Sequence, residues 1–252
     1  MSLVRMESHG GARLIVLDDP TRRNLLSGEL CRQISEAVAR ANADPAASAI
    51  VITGAPPAFC AGAHLDDLEA AAGGETETLH LVYRSFIDVA DSALPTIAAV
   101  NGIAVGAGMN LALACDIRLA AEDARFDCRF LKIGLHPGGG HGWMLLRAVG
   151  WAEAARMLLL DRALNADEAR AAGLVQEVVA GGTLLDSALA LARRTEALPR
   201  DLLIRAKETL RMAVASDHAG ALARETEEQM ASLQQPAFKA LVARLKGEIG
   251  KR

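Results

Sequence analysis

The 252 residues carry a formal net charge of −4, with 51% hydrophobic and only 3% aromatic residues. That balance excludes a basic nucleic-acid surface but not a local patch for an anionic small ligand, and it calls for a core of Ala, Leu and Val. The length suits one large domain, or one domain with a small extension. In chain order, residues 12–20 read as a strand closed by a turn. Residues 27–44 begin with a Ser N-cap and place apolar residues at helical spacing. Residues 48–54 and 95–102 are short apolar strands ending at Gly, and residues 116–126 contain another. Strands alternating with helices predict βαβ units and an α/β fold. Beyond Val149-Gly150 the chain turns mainly helical. There "WAEAARMLLL" and "ADEARAAG" read as helices, the second stopped by Gly173, and "LVQEVVA" as a short strand. From Leu184 onward the pattern is amphipathic helix.

Cys31, Cys60, Cys115 and Cys128 show no CxxC spacing, so neither a zinc site nor a redox motif is indicated. The N-terminal residues lack the apolar segment of a signal peptide. Together these predict free thiols in a reducing, cytoplasmic setting. Residues 92–115 carry no charge and are long enough to span a bilayer. Pro95, Asn101, Gly102, Gly106, Gly108 and Asn110 punctuate them, so a buried strand, a turn and a buried helix are expected instead, with no membrane partner.

Three Gly-rich segments stand out, at residues 59–68, 101–116 and 132–150. Neither Gly106-Ala107-Gly108 nor Gly138-Gly139-Gly140 completes G-x-G-x-x-G, and no P-loop is present. Small residues before a helix do something else: they leave its first N–H groups unpaired and reachable. Two such turns, each after a buried strand, would aim two N–H groups at one oxygen and form an oxyanion hole. Glycine turns also occur for purely structural reasons.

"FCAGAHL" resembles the FxAGADL segment of the crotonase (enoyl-CoA hydratase/isomerase) superfamily, and "AAVNGIAVGAGMNLALACDIRLAAEDARF" is similar to its signature nearly position for position. "DDPTRRNLLS", "IGLHPGGG" followed by "LLRAVG", and "ADEARAAGLVQEVV" resemble further segments in the same order, from about Ala12 to Ala180. The resemblance implies a crotonase-like ββα superhelix core over residues 1–195 and a C-terminal helical trimerisation region over residues 196–252. It implies a homotrimer or dimer of trimers, no tightly bound cofactor, and a coenzyme A thioester as ligand, passing through an enolate-type intermediate. The backbone N–H groups of Ala63 and Ala107 would form the oxyanion hole. Arg22, Arg23, Ala61, Ala63, Leu65 and Gly106 would meet the CoA ligand, although an arginine pair on a turn is also what a solvated surface looks like.

The pattern then departs from the family. Hydratases that it resembles use two glutamates; their positions here are Asn110 and Phe130. Relatives with other reactions carry an Asp or similar group at the position that is Gly138 here. An amide, a phenyl ring and a glycine transfer no protons near neutral pH, and general acid/base catalysis is worth about 10²–10⁴-fold. Ordinary hydratase activity is therefore expected to be weak. Asn110, in a first helical turn, is expected to lean back toward the thioester, there to hold a water or bond the acyl group. His136 and His141, flanking the glycine run, and Asp127 are candidate replacement bases for a hydrolysis, decarboxylation or isomerisation. Each also has a structural reading, as does His64 in a helix-cap slot. A non-catalytic acyl-CoA-binding protein is the remaining alternative.

Overall fold

The computed structural model describes residues 2–249. The chain divides into two compact units, at Arg194/Thr195. In the first, β1 (Val4–His9) and β2 (Ala12–Leu17) form an antiparallel hairpin. β1 lies outside the sequence expectation, because its residues are mostly half-buried and show no apolar run. α1 (Gly28–Ala43) follows, its first turn capped by Ser27 Oγ accepting from Leu30 N at 3.3 Å.

A repeating unit then appears. β3 (Ala49–Gly54) runs into the short β4 (Ala58–Cys60), followed by α2 (Leu65–Ala72) and α3 (Glu77–Ala90). β5 (Thr96–Val100) runs into β6 (Ile103–Val105), followed by α4 (Ala107–Ala114). β7 (Ile117–Ala121) runs into β8 (Arg125–Asp127). The segment expected to hold one strand after Asp116 thus holds two, in different sheets. α5 (His141–Leu159) is interrupted at Gly150, and β9 (Leu164–Asn165), α6 (Ala166–Ala171), β10 (Glu177–Val179) and α7 (Leu184–Arg193) complete the unit.

The first sheet has the order β1-β2-β3-β5-β7-β10, parallel except for β1. The second has the order β4-β6-β8-β9, parallel except for β9. β2, β3 and β5 are buried at every residue, as parallel strands covered on both faces must be. On one face Leu14, Val16, Val51, Ile97 and Leu119 pack against Leu184, Ala188 and Leu189 of α7. The uncharged stretch is β5, β6 and α4, which is buried from Gly108 to Ala114. Among the described residues no helix is long and apolar enough to cross a membrane.

The second unit consists of α8 (Arg200–Ala215), α9 (His218–Leu233) and α10 (Pro236–Ile249). Arg224 of α9 reaches Glu208 of α8 at 3.6 Å and Glu228 of its own helix at 2.8 Å.

Candidate active site

The second sheet decides where backbone donors fall. β4 and β6 are parallel neighbours, pairing Ala58 with Ile103 and Cys60 with Ala104. Each ends in a turn of small residues that opens a helix, so the starts of α2 and α4 lie side by side. Three glycines allow this. Gly106 takes φ 51° and ψ −116°, a conformation suited to a residue without Cβ, and its N–H is tied to Asp127 O at 2.9 Å. A Cβ on Gly62 would lie 2.8 Å from Val105 O and 3.9 Å from Ala107 N, which measures how close the two turns come. A Cβ on Gly108 would lie 2.2 Å from Cys60 O, so α4 rests directly on the backbone of β4.

Ala107 is the first residue of α4, where an N–H has no acceptor within its own helix; the ladder begins with Asn110 N to Gly106 O at 3.1 Å. Ala63 sits beside Leu26 in a parallel bridge whose hydrogen bond runs from Leu26 N to Gly62 O at 2.8 Å, leaving the Ala63 N–H outside that bond. Both alanines line a cavity of 720 Å³, together with Ala61, Leu65, Gly106, Asn110 and His136. The Ala61 N–H is already spent on Arg23 O at 3.1 Å. His64 caps α2, its Nδ1 accepting from Asp66 N at 3.3 Å.

Another part of the lining is built from side chains. Asn110 is buried, and its amide is committed at both ends: Nδ2 donates to Gly138 O at 3.1 Å, and Oδ1 lies 2.6 Å from His141 Nδ1. With Oδ1 as acceptor, His141 must donate from Nδ1, which leaves the lone pair on Nε2. That Nε2 is buried without a hydrogen-bond partner among the described residues. Burial pushes the imidazole pKa down to about 4, so the ring is neutral at neutral pH. Phe130 closes over it, ring centroids 4.8 Å apart. Asn110 thus lines the cavity and also braces α4 against the 138–141 turn, with a second Nδ2 hydrogen outside these bonds.

The other candidates separate clearly. His136 lines the cavity and is exposed, with Nδ1 2.8 Å from Pro137 O; donation to that carbonyl leaves Nε2 as the basic nitrogen. His141 does not line this cavity. Asp127 is not brought there either; it pairs with Arg129 at 2.6 Å. Arg22 and Arg23 are exposed outside the lining, and Arg22 pairs with Asp19 at 2.7 Å.

Two residues escaped the sequence reading. Asn24, next to the arginine pair, is fully buried; its Nδ2 donates among the carbonyls of Ala55, Ala58 and Phe59 at 2.8–3.2 Å and its Oδ1 accepts from Asp19 N at 2.9 Å. It shapes the turn that enters β4. A lone Asn in a turn-rich segment was the available signal. Tyr83 of α3 lines the cavity and lies in a stretch that carries no motif.

Comparison with known proteins shows the family of the chain. The family model described as enoyl-CoA hydratase/isomerase matches residues 7–244. A probable enoyl-CoA hydratase of Mycobacterium tuberculosis is 42% identical over 248 residues, covering 96% of this chain and 95% of that protein. A 1,2-epoxyphenylacetyl-CoA isomerase of Escherichia coli is 34% identical over 204 residues, covering 79% and 78%. The crystal structure of an enoyl-CoA hydratase from a Polaromonas species superposes with a TM-score of 0.91 at 30% identity, covering 97% of each chain.

Proposed function

Since the chain belongs to the enoyl-CoA hydratase/isomerase family, we propose that its cavity binds a coenzyme A thioester, with the carbonyl oxygen held between the N–H groups of Ala63 and Ala107. The observation that carries this reading is the pair of neighbouring helix starts at the ends of β4 and β6. Two fixed N–H dipoles in a mostly apolar cavity favour the charge of an enolate over that of the ground-state thioester. Arg23, exposed and without an ion pair among the described residues, is the cation available to a CoA phosphate. Exposed Trp143, Trp151, Leu159 and Leu160 are apolar side chains that assembly into a trimer would cover, which light scattering would test.

The reaction is not ordinary hydration. Asn110, Phe130 and Gly138 supply no proton-transferring group, and the Asn110 amide is tied to Gly138 and His141. Crotonyl-CoA hydration is expected at about 10²–10⁴-fold below the rate of a relative that carries both glutamates. Turnover at that relative's rate would sink the proposal. A different outcome for the same enolate, with His136 Nε2 as base, is favoured by the place of His136 on the cavity wall. A mass-spectrometric product screen with an acyl-CoA library, run on the parent and on His136→Gln, tests it; the expected product is lost in the variant.

A further inference from the structure

Tyr83, the chain's only tyrosine, stands on α3 with its side chain in the cavity wall. Its ring is fixed on two sides. Phe86, one turn on and fully buried, lies with its ring centroid 5.9 Å away at a 54° tilt. The backbone of Gly138 and Gly139 closes the other side: a Cβ on Gly138 would lie 2.3 Å from Tyr83 Oη, and one on Gly139 would lie 2.3 Å from Phe86 Cζ and 3.0 Å from Tyr83 Cδ1. The hydroxyl is therefore pressed against the turn whose Gly138 carbonyl also holds Asn110. It makes no hydrogen bond among the described residues.

The same cavity is lined by Leu79 and Val82 of the same helix and by Phe130 and Leu135. Of the polar side chains in the lining, Asn110 pairs with His141 and Gly138, Arg129 with Asp127, and His136 with Pro137 O through Nδ1. A ligand chain that enters this space strips water from the phenol. A plain hydrocarbon chain then leaves a buried donor unpaired, whereas a chain with an acceptor oxygen pairs it.

We propose that Tyr83 Oη is a specificity-determining hydrogen-bond donor that selects CoA thioesters whose acyl group carries an acceptor oxygen over those with a plain hydrocarbon chain. The inference rests on the thioester reading of the cavity. It is tested by calorimetric titration of the full-length protein with two matched pairs: butanoyl-CoA against 3-oxobutanoyl-CoA, and pentanoyl-CoA against 4-oxopentanoyl-CoA. At least one oxo ligand is expected to bind about tenfold more tightly than its partner, the range for one buried hydrogen bond. Tyr83→Phe is expected to remove that preference, tightening binding of the hydrocarbon partner, which no longer leaves a donor unpaired, and weakening that of the oxo ligand. Gly138→Ala, whose Cβ would displace the hydroxyl, is expected to reduce the same preference. Binding of all four thioesters with no oxo preference, or a preference that survives in Tyr83→Phe, overturns the assignment and leaves the thioester reading standing. Binding of none overturns both.

Discussion

The two sides of the cavity are made in opposite ways. The donor side is backbone: Ala63, just before the cap of α2, and Ala107, the first residue of α4, follow paired parallel strands, and Gly62, Gly106 and Gly108 exist there because a Cβ would collide or strain. The other side is side chains: Asn110 and Phe130 line it, and His141 interlocks with both behind the lining. Backbone geometry tolerates sequence change as long as the residues stay small. Side-chain chemistry does not survive exchange of a carboxylate for an amide. A family fold can therefore keep its polarising device while its proton-transferring device is rebuilt.

The largest test of this contrast restores the lost chemistry. The double variant Asn110→Glu with Phe130→Glu is expected to raise crotonyl-CoA hydration by about 10²-fold or more. A folded double variant with no gain would mean that the donor side, not the proton side, limits the reaction.

On the donor side, Gly108→Ala places a Cβ 2.2 Å from Cys60 O and is expected to cost about 3 kcal/mol in urea unfolding, with loss of acyl-CoA binding. Gly142→Ala, in α5 with nothing within 4 Å of its Cβ, is the control and should be neutral or stabilising by up to about 1 kcal/mol. Equal effects at the two positions would break the picture of a backbone packed to contact.

The side-chain wall carries a pH signature. Burial lowers the His141 pKa from 6.5 to about 4, so the unfolded state binds the proton more readily than the folded state. The resulting stability is fully present above pH 6.5 and is lost as pH falls from there toward about 4, by about 3 kcal/mol in total. Denaturant midpoints for the parent should fall across that window, and those of His141→Ala, less stable at pH 7, should fall less. Parallel curves would remove His141 from its strut.

The smallest effect concerns the thiols. Burial raises Cys31 to about 11 and Cys60 and Cys128 to about 12. A maleimide or disulfide reagent at pH 8 should label these three slowly in the native protein and fast in urea. Fast native labelling of Cys128, on the cavity wall, would show that wall to be open.

Much of the first unit was legible in the sequence. Apolar β-branched runs marked β2, β3 and β5, and glycines at their ends marked the turns, because parallel strands buried on both faces leave no polar alternation to confuse the reading. The three-residue strands β4, β6 and β8 carry too few residues for any period to show. β1 was missed because its residues are mixed and half-buried.

For the site, the sequence by itself determined the two small-residue turns and the absence of carboxylates at positions 110, 130 and 138. Both are matters of residue type and order along the chain. Only the tertiary structure decided what the remaining polar groups do. Asn110 meets His141 across 31 positions and Gly138 across 28, Asn24 spans more than 30 positions to reach the turn before β4, and Tyr83 lies against Gly138 from another helix. A hydrogen bond or a van der Waals contact is set by distances of a few ångströms. Those distances come from how strands pair and helices pack, which a linear pattern does not encode.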